Sequence, residues 1–268
     1  MFAVDHRLLT RLEPVTKRVL VVDPNPHAAR ILVDLMKALG AREVAVEPTG
    51  ARALATAAAL EPGIVFTERS GPDLDGEELA RRLRRSDLAC RRAPIIMVTA
   101  EATASTILGA RDAGVHEFLR KPFTTADLQR RIENVALKPR DWIEAVEYVG
   151  PDRRRFNSGE YTGPAKRRSD RAASAAEALA DAKDQAMRIL ASALDQFDND
   201  PTQAVRAIRE QASALKDVAM KGSDSRLAMA VGALEVSLAT GPSTKATLSA
   251  PIGGLLAMHQ AAAMKKAG

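Results

Sequence analysis

Short apolar runs alternate with amphipathic segments from residue 18 to residue 137, and this alternation limits the folds open to the chain. The apolar runs RVLVV, EVAV, IVF, IIMV and EFL begin at residues 18, 43, 64, 95 and 117. Each is followed by a segment with apolar residues at helical spacing, as at Ile31, Leu35 and Leu39. Strands that alternate with helices pair in parallel and are covered on both faces. The pattern therefore predicts a doubly wound α/β sheet of five parallel strands, with its ligand site beyond their carboxyl ends.

Polar side chains cluster in the sequence where these predicted strands end. The first strand runs into VVDPNP, the third into FTERSGPDLDG, the fourth into VTA and the fifth into RKPF. These ordered motifs resemble the receiver domain of two-component response regulators over residues 17–137. The resemblance implies a flavodoxin-like receiver fold, with residues 1–16 as an N-terminal extension.

The resemblance also assigns roles to individual positions, and two of them differ from the family pattern. The family accepts phosphate on an aspartate, and a pair of acidic residues follows its first strand. The resemblance places Glu68 at the phosphoacceptor position, Asp23 and Pro24 at the acidic pair, Thr99 at the phosphoryl-binding hydroxyl, Phe118 at the aromatic switch and Lys121 at the phosphate-sensing lysine.

The two departures predict a receiver that does not catalyse its own phosphorylation. A working receiver needs carboxylates around Mg²⁺, which demands near-ideal octahedral oxygen geometry. Pro24 removes one carboxylate, and Glu68 moves another by roughly 1.5 Å, the length of one carbon–carbon bond. We therefore expect no cofactor, with Mg²⁺ binding weak or absent. Either Glu68 mimics a phosphorylated aspartate toward Lys121 and Thr99 with Phe118 turned inward, or the domain is an inert docking scaffold. The enzymatic alternative is an active receiver that uses Glu68 as an unusual phosphoacceptor.

Residues 138–171 break the strand–helix alternation and predict an irregular basic linker. The segment contains the imperfect repeat YVGPDRRR and YTGPAKRR, whose Gly-Pro pairs are typical of loops. Solvation explains most charge runs. The alternative is an anion-binding segment that holds a nucleic acid or a cyclic dinucleotide, with Tyr148 or Tyr161 stacked on a base. Its cations are Arg153, Arg154, Arg155, Arg167 and Arg168.

Residues 172–268 predict an all-α helical bundle of four helices. Asp200 and Pro201 mark the start of the second helix, and Pro251 is expected to open the fourth. The second and third helices resemble a histidine-phosphotransfer domain, because Leu215-Lys216 and Leu234-Glu235 match its motif. Ser213 stands where that family has its phosphorylated histidine, so the module is expected to be non-catalytic. A bundle that serves homodimerisation is the alternative.

The whole sequence is typical of a non-enzymatic signalling protein. A single cysteine, Cys90, among 268 residues cannot form an internal disulfide, which favours a reducing cytoplasmic location. No apolar run approaches the roughly 20 residues that a membrane span requires, so no membrane insertion is expected. The sequence has no nucleotide-binding glycine loop and no Cys/His cluster. The expected partners are a histidine kinase, a phosphotransferase or another response regulator.

Overall fold

The computed structural model describes residues 6–153 and 175–267, and a five-stranded sheet organises the first part. All its strand pairs are parallel, and the spatial order is β2-β1-β3-β6-β7. The predicted α/β receiver fold is confirmed, and each predicted apolar run lies in one of these strands. The strands are β1 (Arg18–Val22), β2 (Glu43–Glu47), β3 (Ile64–Thr67), β6 (Ile95–Thr99) and β7 (Glu117–Arg120); β4 (Ser70–Gly71) and β5 (Leu74–Asp75) form a separate small hairpin.

Helices cover both faces of the sheet, as a doubly wound topology requires. The residues of β1 alternate between two apolar cores, with Leu20 and Val22 on one face and Val19 and Val21 on the other. Residues 6–16 of the expected N-terminal extension fold as a helix that buries Leu12 in the second core. The helices of this unit are α1 (His6–Thr16), α2 (Pro26–Ala38), α3 (Gly50–Leu60), α4 (Gly76–Arg85), α5 (Ala104–Asp112) and α6 (Thr125–Leu137), with a 3₁₀ turn at Ala89–Arg92.

Local capping explains where the helices next to the carboxyl edge of the sheet begin. Asn25 caps α2 through its side-chain oxygen, and Pro26 follows at the first helical position, where its missing N–H costs nothing. Asp75 caps α4 by accepting hydrogen bonds from two backbone N–H groups. These caps fix the loops that carry the polar residues after β1 and β3.

The expected irregular linker begins instead with ordered strands. The segments β8 (Trp142–Glu144) and β9 (Val149–Pro151) form a two-stranded sheet. Gly150, which had indicated a loop, is a packing position: a Cβ there would lie 2.8 Å from Gly114 Cα. Tyr148 is buried and donates a hydrogen bond to Pro151 O, so it is not available to stack on a base as expected. The apolar and aromatic side chains of this segment therefore outweigh the loop-forming effect of its Gly-Pro pair.

The compact units do not divide where the sequence suggested. Among the described residues, one unit comprises residues 6–143 and 148–153, and the other comprises residues 144–147 and 175–267. In the second unit Val146 joins the apolar core, and the Glu144 carboxylate accepts a hydrogen bond from Gln203 at 2.8 Å. Four residues of the expected linker thus belong to the helical unit.

The second unit is a closed ring of four helices. The consecutive helices are neighbours, and the last also packs on the first. The predicted all-α bundle is confirmed, and α8 begins at Pro201 with Asp200 as its cap. The prediction that Pro251 opens the last helix is wrong, because that helix starts six residues earlier under a Thr244 cap and Pro251 lies inside it. The helices are α7 (Ala175–Asp195), α8 (Pro201–Lys221), α9 (Ser225–Ala239) and α10 (Lys245–Ala267).

Candidate functional site

Four strands of the sheet bring predicted site residues to one edge. Asp23 follows β1, Glu68 follows β3, Thr99 ends β6 and Lys121 follows β7. Since all four strands are parallel, their carboxyl ends meet at this edge. The sheet topology therefore collects side chains that lie up to 98 residues apart in sequence.

Lys121 lies between the two carboxylates. Its Nζ donates to Asp23 Oδ2 at 2.9 Å and to Glu68 Oε2 at 2.7 Å. The three side chains are only 23 %, 3 % and 14 % exposed, respectively. Burial lowers the pKa of Lys121, but the hydrogen bonds from its ammonium to Glu68 and Asp23 outweigh burial and raise that pKa above its ordinary value. The ammonium is therefore a fixed positive charge. The Lys121–Pro122 peptide bond is cis.

The remaining carboxylate oxygens are also engaged. Asp23 Oδ1 accepts from the backbone N–H of Asn25 at 2.8 Å. Glu68 Oε1 accepts from the backbone N–H of Arg69 at 2.7 Å. Each carboxylate thus uses one oxygen for Lys121 and the other for the backbone. No oxygen of either group is left without a hydrogen bond.

The space beside Asp23 is filled by an apolar contact. The Pro24 ring packs so closely on the β4–β5 hairpin that a Cβ at Gly71 would lie 2.4 Å from Pro24 Cγ. A proline ring supplies no oxygen ligand, and both nearby carboxylates are already hydrogen-bonded. The residues at this edge therefore do not fit the oxygen-rich octahedral site that Mg²⁺ requires. Within residues 6–153 and 175–267, no cluster of three His, Cys, Asp or Glu side chains could hold a metal ion.

Thr99 and Phe118 lie next to this charge cluster but do not bond to Glu68. Thr99 is 4 % exposed, and its hydroxyl accepts from the backbone N–H of Glu101 at 3.4 Å. No hydrogen bond joins Thr99 to Glu68 in the described part of the chain. Phe118 is 4 % exposed and packs in an apolar core. The structure thus brings Glu68 to Lys121 but not to Thr99, and it turns Phe118 inward.

Arg69 is a site residue that the sequence did not indicate. Its guanidinium lies 2.5 Å from Glu101 Oε2 and 3.5 Å from Glu77 Oε1. It therefore connects the loop after β3 with the loop after β6 and with α4. A cation directly after the phosphoacceptor position was the only available signal, and its partner Glu101 lies 32 residues away.

Comparison with known proteins assigns the first unit. The family described as response regulator receiver domain matches residues 19–133. The chemotaxis protein CheY of Pseudomonas aeruginosa is 32 % identical over 118 residues, which are 44 % of this chain and 94 % of that protein. The chain belongs to the response regulator receiver family. CheY-3 of Vibrio cholerae is 30 % identical over 118 residues, which are 44 % of this chain and 90 % of CheY-3.

Solved receiver structures are also similar to part of the chain. The receiver domain of a sensor histidine kinase from Pseudomonas aeruginosa, solved with a magnesium ion in its active-site cleft, is 30 % identical with a TM-score of 0.41. The similarity covers 44 % of this chain and 95 % of that one. A response regulator from Chloroflexus aurantiacus is 26 % identical with a TM-score of 0.42, covering 45 % and 98 %. Among the described helices, none is long and apolar enough to cross a membrane.

The polar motif residues of the helical bundle lie on the surface of α8 and α9. Ser213 is exposed on α8, one turn from Lys216. Lys216 Nζ lies 3.1 and 2.9 Å from the two carboxylate oxygens of Glu235 on α9. Leu215 and Leu234, the apolar residues of the same motif, are fully buried. The bundle thus presents a serine next to an ion pair, and Ser213 remains a position expected from resemblance alone.

The arginine repeat is only partly described. Arg153 pairs with Asp112 at 3.0 Å, and its guanidinium lies 4.4 Å from the centroid of the Tyr148 ring. It is therefore already engaged by an acid and an aromatic ring of its own unit. The predicted positions Tyr161, Arg154, Arg155, Arg167 and Arg168 lie outside the described residues.

Proposed function

We propose that this receiver domain is a pseudo-receiver, in which Glu68 takes the place of a phosphorylated aspartate toward Lys121. The carrying observation is the 2.7 Å contact between Glu68 Oε2 and Lys121 Nζ. The resemblance gives Lys121 the role of sensing the phosphoryl group, and here a side chain of the protein provides the negative charge permanently. The phosphorylation-dependent contact of the family becomes a constant part of the fold.

The mimicry that we propose concerns charge and lysine position, not the whole phosphoryl group. A carboxylate carries one negative charge, whereas a phosphoryl group carries about two at neutral pH. The Thr99 hydroxyl accepts a hydrogen bond from Glu101 N, and no hydrogen bond joins it to Glu68 within the described residues. The burial of Phe118 supports the locked interpretation over the inert scaffold, because the locked interpretation expects the switch residue to be turned inward.

The domain then acts by binding other proteins and not by transferring phosphate. The partner class is a histidine kinase, a phosphotransferase or another response regulator, as expected for a receiver. The bundle extends this role as a non-catalytic module, because serine at position 213 cannot carry phosphate as a histidine does. Lys216 pairs with Glu235 at 2.9 Å, so the two charged residues of the resembled motif lie together on that surface.

Affinity capture from the native host tests this function. The full-length protein and its Glu68→Gln variant are used as baits, and captured proteins are identified by mass spectrometry. We expect a kinase, phosphotransferase or response regulator to be captured by the wild type and lost with Glu68→Gln. Glu43→Gln is the matched control, because Glu43 is exposed on edge strand β2. If Glu68→Gln captures the same partners as the wild type, the proposal that partner binding requires the Glu68 charge is refuted.

A further inference from the structure

A cavity of about 580 Å³ opens at the edge of the receiver sheet opposite Glu68. Pro94 and His116 immediately precede β6 and β7, so the cavity lies at the amino ends of these strands. A strand of five residues spans roughly 15 Å, which separates this cavity from the Glu68 edge. Its volume lies within the range of about 300–1,000 Å³ that is typical of small-molecule sites.

Cationic side chains dominate the charge of the cavity lining. Arg92, Lys138 and Arg140 line it, together with one acidic side chain, Glu117. Glu117 pairs with Arg131 at 3.1 Å and also interacts electrostatically with Arg140, so the lining carries three cations against one acid. The lining therefore favours an anionic ligand.

Further positive charge lies directly behind the cavity. Arg84 is fully buried, and its guanidinium donates to the carbonyl oxygens of Gly114, Arg91 and Ala93 instead of to a carboxylate. Burial foremost, reinforced by repulsion from Arg91 and Arg140, lowers the pKa of Arg84 to about 9.

Burial also lowers the pKa of Arg140. The pKa of His116 lies well below its ordinary value, first through burial and then through repulsion from Arg84 and Arg140. Arg84, Arg91 and Arg140 thus lie close together at this end of the domain, against the acidic side chains Glu117 and Asp152.

The rest of the lining is apolar and aromatic. The Trp142 indole lines the cavity, and the guanidinium of Arg92 lies 5.3 Å from the centroid of that ring. A guanidinium stacked on an aromatic ring offers its other face to a planar ligand. Inorganic phosphate has no planar ring that could stack on this surface. Four apolar residues complete this part of the lining, namely Val15, Pro94, Val135 and Pro139.

We propose that this cavity binds a purine nucleotide, with its phosphate among Arg92, Lys138 and Arg140 and its base against the Arg92–Trp142 pair. The nucleotide combines the two properties that the lining demands, a multiply charged anion and a planar ring. The site uses none of the predicted linker arginines. It also shares no residue with the Glu68 cluster, so its test is independent of the pseudo-receiver role.

Trp142 is the only tryptophan of the chain, so its fluorescence reports on this site directly. The full-length protein is titrated with AMP and GMP, with guanosine for the base alone and with pyrophosphate for the anion alone, under excitation at the red edge of tryptophan absorption. We expect saturable quenching by at least one nucleotide, with binding tighter than that of pyrophosphate or guanosine by about tenfold or more.

Two double variants complete the experiment. Arg92→Gln/Lys138→Gln removes two exposed cavity cations, and Arg82→Gln/Lys221→Gln removes two exposed cations elsewhere. The first variant should weaken nucleotide binding by about tenfold or more, because it removes two cations proposed to form charged hydrogen bonds with the phosphate. The second should bind like the wild type, and circular dichroism checks that both are folded. Absence of quenching at millimolar nucleotide, equal binding of pyrophosphate, or equal weakening by both variants would overturn the proposal.

Discussion

The free energy of unfolding of the Glu68→Gln variant tests the contacts of Lys121 with Glu68 and Asp23. Glu68 accepts two hydrogen bonds, from Lys121 Nζ at 2.7 Å and from the backbone N–H of Arg69 at 2.7 Å. Glutamine has one acceptor oxygen and one NH₂ group, so one of the two donors must face another donor. Lys121 keeps its second partner, Asp23, at 2.9 Å, which prevents a fully uncompensated charge.

The expected loss follows from these contacts. A hydrogen bond to a charged group contributes about 1.5–3 kcal/mol, and partial exposure of the Lys121–Glu68 pair reduces this value. We expect Glu68→Gln to lower the free energy of unfolding of the receiver unit by about 1–2 kcal/mol. Urea unfolding at neutral pH, followed by Trp142 fluorescence, measures this change. Glu43→Gln should change it by less than about 0.5 kcal/mol. An equal effect of the two variants would refute the reasoning.

The same cluster predicts a dependence on alkaline pH. The folded-state pKa of Lys121 is raised above its ordinary value of 10.5. Its stabilising contribution is therefore complete below that value and is lost as pH rises through the folded-state pKa. The stability difference between wild type and Glu68→Gln should shrink above pH 10.5, and a difference that stays constant to higher pH would contradict this assignment.

Other predictions concern packing and titration. Gly71→Ala should destabilise the receiver unit by about 1–3 kcal/mol, since the new Cβ would lie 2.4 Å from Pro24 Cγ, and Pro24→Ala should restore part of the loss in urea unfolding. Of the two tyrosines, Tyr148 should ionise late in an ultraviolet titration, because burial raises its pKa to about 12; with Tyr161→Phe, an absorbance step near pH 10 would contradict that burial. Leu234→Ala should destabilise the bundle by about 2–5 kcal/mol in thermal unfolding followed by circular dichroism, because Leu234 is fully buried; a loss below about 1 kcal/mol would contradict its core position.

The sequence was sufficient for the fold and for the residues that gather at the carboxyl edge. Apolar runs of β-branched residues predict buried strands, and parallel topology brings their ends together. The proximity of Glu68 to Lys121 could therefore be expected from sequence. The hydrogen bond that the Thr99 hydroxyl accepts from the backbone N–H of Glu101 could not, because it depends on the conformation of the loop after β6 and not on residue type.

The packing of Gly150 in the linker and the ion pairs of Arg69 could not be predicted from sequence patterns. A Gly-Pro pair is typical of loops, yet Gly150 is required where the backbone passes close to Gly114. The ion pair of Arg69 with Glu101 depends on how two loops approach each other. Such contacts join distant residues without any periodic signal.

The cationic cavity also brings together residues that are distant in the sequence, without any periodic signal. Its lining comes from the ends of several elements, including α1, α6 and β8. The sequence offered an anion-binding role for arginines within residues 153–168, whereas Arg92 and Arg140 line the cavity. Only the fold shows that these two side chains lie together beside Trp142.

Intact mass after incubation with acetyl phosphate and Mg²⁺ tests the pseudo-receiver most directly. The wild-type chain should keep its mass, because Glu68 is bound to Lys121 and Pro24 supplies no metal ligand. The Pro24→Asp/Glu68→Asp variant, which restores both family positions, should gain about 80 Da, the mass of one phosphoryl group. A gain of about 80 Da on wild-type Glu68, located by peptide mapping, would contradict the account.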